Sequence, residues 1–218
     1  MTFSMAARCA RTGMLGAIVT TSSIAVGSRC AFAAAGVGAA LTQHTTDPRL
    51  GPLMLDQLRR GYTVDQAIAA AVGTTPRSDW RQLAVIDSQG RTASHAGAAV
   101  KPERAEVHGR DCVAIANIVR STAVPAEMVQ AFEADPAAPL ALRLIEALAA
   151  GEAAGGEFKP VTSAGLVVAH REVFPYVDLR VDSDGDPIKT LRRLWQQYEP
   201  LADLFVARAV HPDSVIGQ

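Results

Sequence analysis

With 218 residues, 49% of them hydrophobic, the chain is long enough to bury a substantial core, and one domain is expected over residues 1–218. A formal net charge of −1 removes the electrostatic reason to expect nucleic acid or an anionic membrane as partner. Aromatic residues make up 5%, which leaves few platforms for stacking bases, and no apolar run reaches the ~20 residues that span a bilayer.

Thr2 to Ala7 reads as a short strand, Arg11-Thr12-Gly13 as a turn, and Leu15 to Thr20 as a second strand rich in β-branched residues. The same stretch has a rival reading as a secretory signal, since Arg8 and Arg11 precede an apolar run and Ala33-Ala34-Ala35 offers small residues for cleavage. Thr20 to Ser23 interrupt that run and Arg29 adds a charge before the small residues, so a hairpin explains the segment better. Val37 to Gln43 is the next strand. Pro52 to Arg60 is a helix with Leu55 and Leu58 on one face, ending at Gly61. Thr63 and Gln66 form a capping box for a helix that buries Ile68, Ala71 and Val72 and stops at Gly73.

Leu83 to Asp87 and Thr92 to Ala96 flank Ser88-Gln89-Gly90-Arg91, the composition of a hairpin turn, and Cys112 to Ile118 is a further buried strand. Val124, Met128 and Phe132 recur at helical spacing, as do Leu140, Leu144 and Leu148 beyond the Asp135-Pro136 break. After a loop with Gly151, Gly155 and Gly156 come strands at Ser163 to Ala169 and Tyr176 to Val181. Pro187 opens a helix carrying Ile188, Leu191, Trp195 and Tyr198, which Pro200 interrupts. The apolar tail Leu201 to Val210 is hard to bury on an already covered sandwich, so a homodimer or higher homo-oligomer is expected. Strands and helices come in separate groups, which favours stacked sheets flanked by helices over a doubly wound fold.

The start Met1-Thr2 carries the chemistry. Thr2 is small, so Met1 is expected to be trimmed, which places a hydroxyl and a free amine on one residue. That amine, with an ordinary pKa of about 7.7–8.0, can take the hydroxyl's proton directly or through a water. The three cysteines, Cys9, Cys30 and Cys112, show neither a metal spacing nor a disulfide framework, which suggests reduced thiols and a cytoplasmic protein. Asp182 to Asp186 looks calcium-like for five residues, but Arg193 stands where a bidentate glutamate belongs, so a solvated turn is expected and no metal site.

The blocks TFSMAAR at Thr2 to Arg8, AVGSRCAFAAAGVGAALTQ at Ala25 to Gln43 and DPRLGP at Asp47 to Pro52 carry a resemblance. So do AIANIV at Ala114 to Val119, SAGLVV at Ser163 to Val168 and DLRVD at Asp178 to Asp182. In this order and spacing they resemble, along nearly the whole chain, a bacterial and archaeal family of N-terminal nucleophile (Ntn) hydrolase-like proteins, the domain of unknown function DUF1028. The resemblance implies an α+β fold, a four-layer αββα sandwich of two mainly antiparallel sheets, with residue 2 as nucleophile; it supplies no substrate. Cys9 departs from the family's usual aspartate, and His95 from a hydroxyl residue.

On this scheme Thr2 attacks a small amide-like substrate, and Asn117, inside an apolar strand, is the candidate donor to the oxyanion, beside backbone amides. Ser23 and Ser28 after the second strand, Gln43 and His44 at the end of the third, and His95 are candidate substrate-binding residues; each also reads as an ordinary turn or strand-end group. Arg49 suits a carboxylate or a surface ion pair. No metal or organic cofactor is needed. Two alternatives stay open: a non-catalytic binding or assembly protein of the same fold, and a nucleophile at Cys9 or Cys30.

Overall fold

The first hairpin sets the frame. In the computed structural model, which describes residues 1–101 and 103–214, β1 (Thr2–Arg8) pairs antiparallel with β2 (Leu15–Thr21) across a turn in which Gly13 takes φ 73. Residues 102 and 215–218 of the expected domain lie outside the described residues. Side chains alternate along β1, so Phe3, Met5 and Ala7 point one way and Ser4 and Ala6 the other. Both faces are buried as far as Ala7, since the strand has a layer packed on each side.

Two antiparallel sheets result, ordered β10-β9-β2-β1-β8-β7 and β3-β4-β5-β6. The further strands are β3 (Ala31–Ala34), β4 (Gly38–His44), β5 (Arg81–Asp87), β6 (Thr92–Ala96), β7 (Arg104–Gly109), β8 (Cys112–Asn117), β9 (Ser163–Ala169) and β10 (Val177–Val181). Ala6, Leu15, Ala17, Leu41, Ala84, Ile86, Val113 and Ile115 form the layer between the sheets. Outside the first sheet lie α3 (Val124–Ala134), α4 (Leu140–Ala153) and α5 (Pro187–Tyr198), whose Met128, Phe132, Leu144, Leu148 and Leu191 pack with Phe3 and Met5 in one cluster. Outside the second lie α1 (Leu50–Arg59) and α2 (Val64–Thr74), with Met54, Leu55, Ile68 and Ala71 against Leu83 and Val85. The architecture is the four-layer αββα sandwich, α+β in class, with β1 in the interior of its sheet.

Several boundaries differ from the sequence reading. β3 and β7 are additional edge strands, one alanine-rich and one reading Arg-Ala-Glu-Val-His-Gly, compositions with little strand signal of their own. Helix α1 begins at Leu50 and takes Pro52 into its first turn, where no intrahelical N–H is required. Helix α2 continues through Gly73 to Thr74, and β8 stops at Asn117 because Ile118 leaves the ladder at φ 53. The apolar tail forms a 3-10 turn around Pro200 and α6 (Ala202–Val210), which buries Ala202 and leaves Leu201, Phe205 and Val210 exposed.

Candidate functional site

The layer between the sheets is apolar for most of its length and turns polar at one end. By the two-residue period, Thr2 and Ser4 share the inward face of β1 with Ala6, and Thr21 shares that of β2 with Ala17. Gln43 lies with Leu41, Gln82 with Ala84, and Asn117 with Ile115. All six polar residues are buried. Register brings them together, with Thr2 opposite Asn117 and Gln43 opposite Gln82.

Their hydrogen bonds have a fixed direction. Ser4 Oγ donates to Gln43 Oε1 at 2.7 Å, and Gln43 Nε2 donates to Gln82 Oε1 at 2.7 Å. Asn117 Nδ2 donates to the same Gln82 oxygen at 3.0 Å, while Gln82 Nε2 donates to the Ala116 carbonyl at 3.1 Å. Each amide orientation is set by the next. Asn117 Oδ1 is left buried and accepts no hydrogen bond among the described residues. Directly after it, Ile118 holds a left-handed conformation at φ 53, a β-branched outlier that costs about 1–2 kcal/mol.

Thr2 Oγ1 donates to the Met1 carbonyl oxygen, and Thr21 Oγ1 donates to the same oxygen at 2.7 Å. The next residue, Ser22, gives its backbone N–H to Glu157 Oε2 at 2.9 Å. Glu157 is 4% exposed, and its Oε1 accepts no hydrogen bond among the described residues. Burial pushes its carboxyl above the usual carboxylate range, against the Ser22 hydroxyl and N–H, the terminal amine and the Thr21 hydroxyl. Burial likewise holds the Met1 amine below its ordinary value, with Glu157 opposing. Gly155 and Gly156, at φ 133 and 55, turn the chain to deliver Glu157, a path that glycine follows without strain. Arg120 Nε and Nη2 then clamp the carbonyls of Glu157 and Phe158, each at 2.9 Å.

The residues proposed from sequence divide between this rim and other places. Thr2, Asn117 and Gln43 stand together on it. His44, at φ 70, sets Nδ1 3.0 Å from the Trp80 carbonyl and stacks on that ring; burial first, then the nearby terminal amine, lowers its pKa. Ser23 is exposed beyond β2 and accepts from Arg29 Nη2 at 2.8 Å. Ser28 is exposed, donates to the Ala25 carbonyl, and lines a surface cleft with Gly27, Gly165 and Arg180. His95 has the parity of Ala93 and faces the helices covering the second sheet, away from β1, with Nε2 3.4 Å from the Ser78 carbonyl.

Arg49 binds Asp47 in bidentate fashion at 2.9 and 2.7 Å, and this arginine holds the Asp47 carboxyl below its usual range. Cys9 lies beyond the opposite end of β1, whereas Cys30 is buried with its thiol pushed up and its Sγ 3.6 Å from Thr46 Oγ1. Asp184 and Asp186 accept hydrogen bonds from the first turn of α5 and its approach, a helix start rather than a cation loop. Among the described residues no group of three His, Cys, Asp or Glu is arranged to hold a metal ion, and no helix is long and apolar enough to cross a membrane.

Thr21, Ser4, Gln82 and Glu157 were not among the sequence candidates. Strand parity would have found the first three once the pairing was known. Glu157 carries no local signal beyond two preceding glycines.

The sequence profile of the family of unknown function DUF1028 matches residues 2–191. Protein SPO2555 from Silicibacter pomeroyi, whose crystal structure is described under the same family, is 28% identical, with a TM-score of 0.84 over 90% of this chain and 88% of that one. Anbu (ancestral β-subunit) from Yersinia bercovieri is 13% identical, with a TM-score of 0.44 over 94% and 96% of the two chains, a distant likeness only. No curated protein matches. The profile covers all six sequence blocks and every strand named above, and the chain belongs to the DUF1028 family.

Proposed function

We propose that the protein is a small-molecule amidohydrolase in which Thr2, freed of Met1, is the nucleophile. The observation that carries this reading is the Thr2 hydroxyl held against a carbonyl oxygen that a second hydroxyl, Thr21, also binds at 2.7 Å. A substrate carbonyl in that place meets a nucleophile and an oxyanion donor together, the donor within the 2.7–3.1 Å range that charge stabilisation requires.

In the first step Thr2 Oγ forms a bond to the substrate's carbonyl carbon and passes its proton to the Thr2 amine. The tetrahedral oxyanion accepts from Thr21. The C–N bond then breaks, the leaving nitrogen takes the proton from the Thr2 amine, and an ester remains on Thr2. Water attacks that ester, gives a proton through the same amine back to Oγ, and releases the acid. Asn117 faces Thr2 across the ladder with Oδ1 open. Accepting an N–H of the freed amine there directs the amine's lone pair at the hydroxyl, and Gln82 and Gln43 keep Asn117 in place. This reading gives the oxyanion to Thr21 and makes Asn117 the group that orients the base. Gln43 and His44 end β4 and Ser23 follows β2, so on this reading they are the substrate-binding candidates nearest Thr2.

The test is a screen of small amides, ureas and lactams on protein whose N-terminus is verified by intact mass. Thr2→Ala is expected to lower turnover at least 1000-fold, on the order of losing a covalent nucleophile, with the fold retained. A Thr2→Ala protein that keeps full activity overturns the proposal. Retention of Met1 in the protein isolated from its own cells favours the binding-protein reading instead, because the amine is then an amide.

A further inference from the structure

We infer that the site takes an α-amino acid amide, and that Glu157 recognises its free α-ammonium. The inference deepens the proposed function: its chemistry rests on the Thr2 reading, whereas its binding specificity does not.

Met1 is itself an aminoacyl group, and its surroundings describe what an acyl group on Thr2 would meet. Its carbonyl lies against the hydroxyls of Thr2 and Thr21. Its amine is one carbon away. The Thr21-Ser22 step that grips the carbonyl with a side chain grips the Glu157 carboxylate with the next backbone N–H. The carbonyl thus meets two hydroxyls, and the Glu157 carboxylate lies within electrostatic reach of the amine.

Glu157 needs an explanation that its structural contacts do not supply. Oε2 accepts the Ser22 N–H and the Ser22 and Thr21 hydroxyls lie near the carboxylate, while Oε1 is buried with no hydrogen-bond partner among the described residues. A carboxylate left this way is costly unless a cation or donor completes it. A substrate ammonium supplies both once Met1 has left. Lys101 also lies within electrostatic reach of the terminus, and its positive charge opposes a cation there, as does His44 when protonated, while the Cys30 thiol adds weak attraction at most. Of the charged groups in reach, Glu157 is the buried acid with an open acceptor, whereas the open Asn117 Oδ1 is neutral and faces Thr2. An amine blocked by acylation has no charge to offer it.

The reaction follows the balance already given. Thr2 Oγ bonds to the aminoacyl carbon, the amide C–N bond breaks with its nitrogen protonated by the Thr2 amine, and water hydrolyses the ester to leave a free amino acid and an amine.

Met1-free Thr2→Ala protein, which cannot turn substrate over, is titrated with L-methioninamide and with N-acetyl-L-methioninamide by calorimetry. The free amine is expected to bind about 10- to 100-fold more tightly than the blocked one, the range for a charge-assisted hydrogen bond. Adding Glu157→Gln should remove that difference by weakening the free amine alone. Gln retains an acceptor for the Ser22 N–H, and should the double variant not fold, the comparison of the two ligands on Thr2→Ala still decides. No binding of L-methioninamide at millimolar concentration, equal binding of both compounds, or an equal loss of both in Glu157→Gln overturns the inference. Wild-type hydrolysis of blocked amides only also overturns it while leaving the Thr2 reading intact. Glu157-dependent binding of L-methioninamide without any hydrolysis keeps the inference and overturns the Thr2 reading.

Discussion

Replacing Gln82 by leucine removes the acceptor on which the rim converges while keeping the side-chain volume close to constant. Two buried donors lose their partner: Asn117 Nδ2 at 3.0 Å and Gln43 Nε2 at 2.7 Å. Asn117 Nδ2 is then orphaned, whereas Gln43 Nε2 keeps a 3.4 Å contact to the Ile115 carbonyl. An unsatisfied buried donor costs about 1–3 kcal/mol, so one full loss and one partial loss give about 2–4 kcal/mol. That is a large share of the roughly 5–15 kcal/mol that stabilises a typical domain, and at about 2–4 °C per kcal/mol it lowers Tm by roughly 4–16 °C. Urea unfolding followed by circular dichroism measures it. A double-mutant cycle with Asn117→Leu should show coupling of about 1 kcal/mol or more, since removing donor and acceptor together costs less than orphaning either. A single-variant loss under about 0.5 kcal/mol, or strict additivity in the cycle, refutes the network as the element that fixes Asn117 beside Thr2.

Glu157→Gln should change the pH dependence of stability. Burial raises the folded-state pKa of this carboxyl, so the folded chain binds more protons between the unfolded and folded values and stability falls as pH rises through that window. The variant should therefore gain on wild type at neutral pH and lose the advantage as pH drops into the ordinary carboxylate range; thermal melts from pH 4 to 8 on protein of one verified N-terminus check the sign. Gly97→Ala should cost about 1–3 kcal/mol, read as a lowered urea midpoint, because a Cβ there would strike the backbone of Ser78 and Asp79. The exposed Leu201, Phe205 and Val210 lead us to expect a homodimer or higher assembly in light scattering at micromolar concentration, and a monomer contradicts that expectation.

Much of the fold was legible because its signals are local. The β1–β2 turn depends on Gly13, and the Thr63–Gln66 capping box forms as a reciprocal pair of bonds at 3.3 and 2.9 Å. The four-residue recurrence of Val124, Met128 and Phe132 and of Leu140, Leu144 and Leu148 places all six residues in the core beneath α3 and α4. Edge strands β3 and β7 were not legible, since pairing with β4 and β8 rather than composition makes them strands.

The site divides in the same way. Polar residues inside apolar strands, such as Asn117 and Gln43, advertise themselves, because an amide in that setting needs partners. His95 did not reveal its side of the sheet, because the face follows from register with β5. Ser28 lies in a 3-10 turn whose direction no nearby residue signals. Glu157 reaches the rim from a loop 155 residues after Thr2, brought there by the Val119–Glu157 bridge and the Arg120 clamp.

The central claim is that residue 2 takes up the acyl group through its hydroxyl. Met1-trimmed protein incubated with the activated acyl donor L-methionine p-nitrophenyl ester, then digested and sequenced by tandem mass spectrometry, tests this directly. The account predicts a methionyl adduct on the N-terminal peptide at Thr2, retained in Thr2→Ser and lost in Thr2→Ala. An adduct equally abundant in Thr2→Ala, or one that falls on Cys30 in place of Thr2, contradicts it.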